Sequence, residues 1–288
     1  MASITLATIF GGRTFSIPVE NSTIAFEDSG PGSQLSRGKI FYCMPGLGDF
    51  RHSYRFLAPK LVAAGHRVII QDLRGVGDSG TKFNGYSIEE CSNDIGAVLN
   101  HLNINEPVIL VGNSLSAASA VTFAANNPSR VEKLITLGGF FRDMPNDPYF
   151  RPLTPLLFNH FWGQPVWVSA FKGFFAKPPA DLDQYCAAVK AKMLSNCDHA
   201  GIIGAMIRAS KEATWARVPE IKSPVLLVMG SKDPDFKDPA AENEFVAKNI
   251  GERAGVKVTQ KLVDGVGHYP QAEAVDEVYD AIIGFISA

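Results

Sequence analysis

The stretch Val108-Ile-Leu-Val-Gly-Asn-Ser-Leu-Ser116 passes directly into Ala117-Ala-Ser-Ala-Val-Thr-Phe-Ala-Ala125. The first run is apolar and rich in β-branched residues, and the second is rich in small residues that favour a helix. This order predicts a buried strand, a very tight turn at Ser114 and a helix, which is the local structure that exposes a nucleophilic serine. A strand that ends in an ordinary polar turn would share this pattern, so the neighbouring segments have to decide between the two interpretations.

The composition limits the classes of protein to which this chain can belong. It has 288 residues, 46% of them hydrophobic, enough for one large domain with a well-filled core. A formal net charge of −2 offers no basic surface for nucleic acid or an anionic membrane. The first ten residues lack the basic start and apolar core of a signal peptide, and the four cysteines have no metal or disulfide spacing. We therefore expect a cytoplasmic protein that binds neither nucleic acid nor membrane, and a homodimer stays open.

Further apolar runs of strand length alternate with segments of helical periodicity. A hairpin is predicted from residues 4–9 and 13–17 around Gly11-Gly12, and another strand follows over residues 22–27. Later strands are predicted over residues 39–44, 67–72, 131–137, 224–230 and 256–263, with helices over residues 52–64, 87–102, 239–250 and 272–286. This alternation predicts an α/β protein with a doubly wound, mostly parallel sheet.

The strand rhythm stops between residues 140 and 219. Phe and Trp, interleaved with Pro and Gly, dominate the first half of this segment, and residues 181–210 have a helical pattern. The segment is too long for a simple connection. The sequence therefore predicts a core of residues 1–139 and 220–288, with an aromatic-rich helical lid inserted over residues 140–219. Most of its aromatic side chains would form the lid's own core, and a minority would line an apolar pocket; the candidates are Phe140, Phe141, Trp162 and Trp167.

In sheets of this kind, reactive residues gather at the carboxyl ends of the strands. A serine, an acid and a histidine are predicted there in the chain order Ser114, Asp233, His268. His268 has a glycine just before it and a proline soon after it. The other histidines lack this context and are interpreted as surface or lid residues: His52, His66, His101, His160 and His199.

Four motifs resemble those of the α/β-hydrolase superfamily, and the resemblance covers nearly the whole chain. They are the turn at Ser114, Asp72-Leu-Arg-Gly-Val-Gly-Asp-Ser79, Gly230-Ser-Lys-Asp233-Pro234 and Gly265-Val-Gly-His268-Tyr-Pro-Gln-Ala-Glu273. The resemblance implies an eight-stranded sheet and a hydrolase that needs no cofactor or metal. The chain departs from the family pattern at Ser116, where a glycine is usual, and at Pro45-Gly46, where His-Gly is usual.

The chemistry of these residue types suggests a role for each. The Ser114 hydroxyl needs a base, and histidine titrates in the right range. A carboxylate would orient His268 and stabilise its charged form; Asp233 matches the family turn, and Asp235 and Asp143 are the alternatives. By resemblance, the backbone N–H groups of Leu47 and Leu115 would bind the oxyanion.

These roles predict a cofactor-free serine hydrolase that cleaves a carboxylic ester, lactone or thioester of a hydrophobic small molecule through an acyl-enzyme on Ser114. Relatives with the same triad hydrolyse carbon–carbon bonds or act as cofactor-free haloperoxidases, so these activities stay open. A ligand-binding receptor and a non-hydrolytic biosynthetic protein on this fold are further alternatives. The GxGxxG pattern of residues 75–80 does not indicate a dinucleotide site, because no helix is predicted to begin within it.

Overall fold

The computed structural model describes residues 6–30, 38–159 and 161–288, and a single sheet of eight strands runs through this part of the chain. The strands are β1 (Phe15–Val19), β2 (Ser22–Asp28), β3 (Ile40–Met44), β4 (Arg67–Gln71), β5 (Val108–Asn113), β6 (Val131–Leu137), β7 (Val225–Gly230) and β8 (Val258–Val263). Their order across the sheet is β1-β2-β4-β3-β5-β6-β7-β8. β2 is antiparallel to β1 and β4, and the other neighbours are parallel. The predicted doubly wound, mostly parallel sheet is confirmed.

Helices lie on both faces of this sheet and beyond the ends of its strands. They are α1 (Leu57–Ala63), α2 (Ile88–His101), α3 (Leu115–Asn126), α4 (Asp147–Phe150), α5 (Thr154–Leu157), α6 (Gly163–Phe171), α7 (Leu182–Leu194), α8 (Asp198–Arg208), α9 (Glu212–Ala216), α10 (Pro239–Ala254), α11 (Pro270–Glu273) and α12 (Val275–Ser287). α2, α3 and α10 pack on one face, and α1 and α12 pack on the other. Within the described residues, no helix is both long and apolar enough to span a bilayer.

The central strands are largely apolar because both of their faces are buried. In β5, Val108 and Leu110 face the layer of α2 and α3, whereas Ile109 and Val111 face the layer of α1 and α12. The register pairs Gly112 at the end of β5 with Met44 of β3 and Thr136 of β6. The carboxyl ends of these strands therefore meet at one edge of the sheet, where the chemistry was predicted.

The predicted hairpin around Gly11-Gly12 is wrong. Residues 6–14 contain no strand, and residues 4 and 5 of that prediction lie outside the described residues. β1 pairs instead with β2, and the two-residue connection between them has Glu20 at φ 54°. Two residues in such a conformation are enough to connect two antiparallel strands. β1 and β2 therefore form a hairpin without Gly11 and Gly12.

The glycine-rich loop of residues 75–80 leads into more loop, and α2 begins only at Ile88 behind a capping box formed by Ser87 and Glu90. Asp72 accepts hydrogen bonds from the backbone N–H of Asp78 (2.8 Å) and of Arg51 (2.7 Å). The motif therefore packs against the end of β4 and does not open a helix, as a dinucleotide site would require.

Residues 140–219, hereafter the insert, connect β6 to β7 and contain α4 to α9. Phe171, Tyr185 and Ile203 form an apolar cluster that also includes Tyr269 from the histidine loop. An ion pair between Arg55 of the core and Asp181 of the insert, 2.7 Å apart, adds to this contact. The insert is therefore helical, as predicted, and packs over the edge of the sheet where the strands end.

Candidate active site

Ser114 lies in the sharp turn between β5 and α3, with φ 56° and ψ −122°. Residues other than glycine rarely adopt such a conformation, and its strain is typical of a nucleophile turn. Gly112 makes the turn sterically feasible, because a Cβ there would lie 2.5 Å from the Ser116 carbonyl oxygen. The Ser114 N–H donates to the Leu137 carbonyl at 2.9 Å, which fixes the turn to β6.

Ser116, the departure from the usual glycine, is completely buried. Its hydroxyl donates a hydrogen bond to the carbonyl of Pro45, at the end of β3. Glycine could not form this bond, and a larger side chain would not fit so close to the neighbouring backbone. Ser116 therefore fastens the serine turn to the loop that carries Leu47.

His268 is buried beside two carboxylates. Its Nδ1 is 2.8 Å from Asp233 Oδ2 and 3.4 Å from Asp235 Oδ2. The other oxygen of Asp233 accepts the Asp235 N–H at 3.0 Å, so Asp233 is held by two hydrogen bonds. Asp143 lies in another cluster, where it contacts Arg151 and accepts hydrogen bonds from Ser210 and the Lys211 N–H.

These carboxylates change the acidity of the imidazole. Burial alone lowers the pKa of His268, but the charges of Asp233 and Asp235 outweigh it and raise that pKa to about 9. Burial raises the pKa of the Asp235 carboxyl, and the nearby His268 opposes this effect.

The same three residues could in principle bind a metal ion. The nitrogen and carboxylate oxygens of His268, Asp233 and Asp235 that could act as ligands lie within 4.8 Å of one another. A metal would, however, have to displace the hydrogen bond between His268 Nδ1 and Asp233.

Two residues connect the histidine loop to the serine turn. Asn113 donates from Nδ2 to the carbonyls of His268 (3.2 Å) and Leu137 (2.7 Å). Gly138, at φ 55°, leaves the space that the Asp233–His268 pair occupies, because a Cβ there would lie 3.1 Å from Asp233 Oδ2. Ser114 and His268 face the same cavity. The described residues form no hydrogen bond from Ser114 Oγ to the imidazole; such bonds often tighten only when substrate binds.

Leu47 and Leu115 both line the cavity beside Ser114. In the described part of the chain, no oxygen accepts a hydrogen bond from either backbone N–H. The Leu115 N–H is one of the unpaired donors at the start of α3. Leu47 lies in a tight turn closed by the Asp49 N–H on the Gly46 carbonyl at 3.3 Å. Two free donors at this place are suited to an oxyanion, and that role stays a prediction.

The cavity has a volume of about 1150 Å³ and a mostly apolar lining that includes eight Phe, Trp and Tyr side chains. Phe140 and Trp167 contribute to its lining, but two predicted residues do not. Phe141 points to the opposite side of the chain from Phe140 and is buried in the core beside Ala117. Trp162 lies on the outer side of the insert, 46% exposed, with its indole N–H on the Leu156 carbonyl at 2.8 Å. The prediction that Phe141 and Trp162 line the cavity is therefore wrong.

Several lining residues were not predicted. Phe236 directly follows Asp235 in sequence and stacks on Phe140, with ring centroids 4.9 Å apart. Tyr269 directly follows His268. Their position next to predicted site residues could have identified both as lining residues. Lys211 and Arg142 have no such position in the sequence that could have identified them.

Among the other histidines, His52 is buried and contacts the Ala7 carbonyl at 3.0 Å, in contrast to the surface position expected of it. His160 lies outside the described residues.

Comparison with known proteins finds a matching family model and similar proteins. The model of the alpha/beta hydrolase family matches residues 41–281. A Cupriavidus pinatubonensis (strain JMP 134 / LMG 1197) protein, named 2-hydroxy-6-oxononadienedioate/2-hydroxy-6-oxononatrienedioate hydrolase, is 29% identical over 258 residues, or 84% of this chain and 83% of that protein.

Solved structures share the fold at lower sequence identity. The enol-lactonase from Burkholderia xenovorans LB400 has a TM-score of 0.75 and 19% identity over 95% of this chain and 100% of that chain. The bromoperoxidase from Bacillus anthracis has a TM-score of 0.73 and 21% identity over 96% of this chain and 100% of that chain.

Proposed function

Because the chain belongs to the alpha/beta hydrolase family and is an enzyme of the hydrolase class, we propose that it hydrolyses a bond beside a carbonyl group of a bulky, largely apolar small molecule. A carboxylic ester is the simplest such substrate. One observation supports this most directly: Ser114, the His268–Asp233 pair and the free N–H groups of Leu47 and Leu115 converge on one aromatic cavity.

The reaction follows from the groups at this site. Ser114 Oγ attacks the carbonyl carbon while His268 takes the hydroxyl proton, and the N–H groups of Leu47 and Leu115 bind the oxyanion. Each such donor contributes about 3–4 kcal/mol in the transition state. His268 then gives its proton to the departing alkoxide, which leaves an acyl group on Ser114. A water molecule, deprotonated by His268, then attacks this acyl group. As the bond to Ser114 Oγ breaks and the acid leaves, His268 returns the proton to the serine oxygen, and Asp233 stabilises the imidazolium throughout.

The sequence relative favours a second candidate reaction. The name of its substrate contains a hydroxyl, a ketone and two carboxylates but no ester, so hydrolysis there breaks a carbon–carbon bond beside the ketone. The same serine attack applies, except that His268 would protonate a carbon of the leaving group. Hydrolysis of a lactone or a thioester, and cofactor-free haloperoxidase activity, would require the same Ser114, Asp233 and His268.

Lys211 supports an acidic substrate for this chain. The residue is 6% exposed and lines the same cavity as Ser114. Its Nζ is 3.6 Å from Asp147 and 4.0 Å from Asp143, and it donates no hydrogen bond to the described residues. An ammonium group has three donors, and charge-assisted hydrogen bonds to a carboxylate are strong. Lys211 would therefore bind an acidic group of the substrate.

Replacing Lys211 with methionine removes the charge and keeps most of the apolar stem. We expect KM for a 2-hydroxy-6-oxodienoate to rise about tenfold or more, as the loss of a hydrogen bond to a charged group implies. For a neutral ester of similar size, KM should change little. Lys232→Met, at an exposed lysine outside the cavity, is the matched control. An equal loss on both substrates would contradict an acid-binding role.

The dependence of the rate on pH follows from His268, which accepts a proton only in its neutral form. Its pKa is raised to about 9, so the neutral fraction falls about tenfold for each pH unit below that value. We expect kcat/KM for a neutral ester to rise steeply from pH 6 to 8 and to level off near pH 9. Measured profiles that are already flat above pH 7 would be inconsistent with this base.

The proposed function is tested by turnover on p-nitrophenyl esters of increasing acyl size and on a coloured 2-hydroxy-6-oxodienoate. The aromatic cavity predicts faster turnover of bulky apolar esters than of short polar ones. Faster turnover of the dienoate than of every ester would favour carbon–carbon hydrolysis. Binding of these compounds without repeated turnover would favour the receptor alternative and overturn the proposal.

A further inference from the structure

The loop of residues 45–50, hereafter the Leu47 loop, follows β3 but packs against the insert. Phe50 belongs to the apolar cluster of the insert, where its ring lies 5.5 Å from that of Tyr185. Tyr54, only four positions later, already belongs to the layer that packs on the sheet. The part of the core that carries Leu47 therefore shares its packing with the insert.

Trp167 of α6 holds the middle of this loop. Its indole N–H donates to the Gly48 carbonyl at 3.1 Å, and the ring is buried. Gly48 has φ 66°, and a Cβ on it would lie 2.3 Å from the indole ring. The ring thus lies directly against the backbone of the turn, which only glycine permits at this position.

Tyr185 of α7 holds the end of the same turn. Its hydroxyl donates to Asp49 Oδ1, which also accepts the Phe50 N–H at 2.7 Å. Asp49 is completely buried, and its Oδ2 has no partner among the described residues. Burial raises the pKa of this carboxyl to about 7. The contact with Tyr185 is therefore one of the few that stabilise the buried carboxylate.

The contacts of Trp167 with Gly48 and of Tyr185 with Asp49 hold the turn that contains the free Leu47 N–H. The Asp49 N–H closes the turn on the Gly46 carbonyl, so Leu47 lies inside a turn whose next two residues are held by the insert. Leu115 differs, because it begins α3 and belongs to the core of the protein. The two proposed oxyanion donors thus depend on different parts of the chain.

We propose that the docked insert fixes the position of the Leu47 N–H through Trp167 and Tyr185, so that the carbonyl-binding site is complete only when the insert is in place. This inference rests on the proposed function. Trp167 and Tyr185 are then positioning residues, and the insert contributes to the chemical step as well as to the substrate cavity.

The test uses Trp167→Phe and Tyr185→Phe, which remove one donor each and keep an aromatic ring. We expect each to lower kcat for an ester about tenfold, since complete loss of an oxyanion donor costs about 10²- to 10³-fold. Affinity for a phenylboronic acid, which forms a tetrahedral adduct on a serine, should fall in parallel. KM should change little for Tyr185→Phe, because Tyr185 does not line the cavity. The melting temperature is recorded for both variants, since Tyr185→Phe removes one of the few partners of the buried Asp49 carboxylate and is expected to lower it.

Matched controls come from the same insert. Trp162→Phe removes an indole N–H that also donates to a carbonyl, but outside the cavity, and Tyr149→Phe removes an exposed hydroxyl. Both should behave as the unmodified protein. If Trp167→Phe and Tyr185→Phe keep full kcat and boronate affinity while Ser114→Ala is inactive, the inference is wrong and the proposed function stands. If Ser114→Ala is also fully active, the proposed function fails first.

Hydrogen exchange on the unmodified protein gives a second test that does not depend on the folding of variants. The hydrogen-bonded amides of Asp49 and Phe50 should exchange at the rate of those in α6 and α7, because the loop loses its contacts when the insert opens. Exchange of the loop at the slower rate of β3 and β5 would overturn the proposal.

Discussion

Replacing Ser114 with alanine is expected to lower kcat about 10⁴-fold or more on the best ester, because no other group of the site can form the acyl intermediate. Residual turnover would come from substrate binding and from the N–H groups of Leu47 and Leu115. The measurement is kcat of the purified variant, with its melting temperature recorded to show that the fold is retained.

Ser119→Ala is the matched control for this variant. Ser119 is another buried serine, inside α3, and its hydroxyl has no hydrogen-bond partner in the described part of the structure. It should therefore lose little activity when the hydroxyl is removed. A Ser114→Ala variant that keeps more than about a tenth of the activity would show that Ser114 is not the nucleophile.

Replacing Asp233 with asparagine has the second largest expected effect, a loss of about 10²- to 10⁴-fold in kcat. The substitution removes the negative charge that stabilises the imidazolium and allows the ring to adopt the wrong tautomer. Asp235→Asn, with the weaker contact at 3.4 Å, should cost tenfold or less. It should also move the rise of the pH profile to lower pH, because one of the charges that raise the pKa of His268 is gone.

The comparison of these two variants decides which carboxylate acts. They are close neighbours on one loop and carry the same chemical change, so each serves as the control for the other. A larger loss from Asp235→Asn would assign the role to Asp235. A double variant no worse than Asp233→Asn alone would show that Asp235 only adjusts the acidity of His268.

The serine turn was predictable because its constraints are local. Gly112 and Ser114 have to satisfy a close approach and a positive φ within a few residues, and such requirements leave a short pattern in the sequence. His268 was predictable in the same way, from the glycine and proline beside it. The parallel strands then bring these local motifs together at one edge of the sheet.

The features that sequence reasoning missed depend on contacts between distant residues. Phe140 and Phe141 are adjacent and equally apolar, and only the path of the backbone after β6 sends the first into the cavity and the second into the core. Lys211 lines the cavity because α8 and α9 place it there. The bond from the Trp167 indole to the Gly48 carbonyl joins two segments far apart in sequence, so neither segment alone predicts it.

Ser116 shows how a departure from a family pattern acquires a physical explanation. In the sequence it stands where a glycine is usual. In the structure its hydroxyl binds the Pro45 carbonyl, beside the loop in which the usual His-Gly is Pro45-Gly46. The two departures therefore lie in contact, and the first supports the loop that the second alters.

The central claim is that Ser114 is an activated nucleophile, and its most direct test is covalent labelling with a fluorophosphonate. The probe reacts with serines that have an adjacent base, and mass spectrometry of the digested protein locates the adduct. We expect one adduct per chain, on the peptide that contains Ser114, and none in the Ser114→Ala variant. An adduct on another residue, or no adduct on a folded protein that still turns over its substrate, would contradict the account.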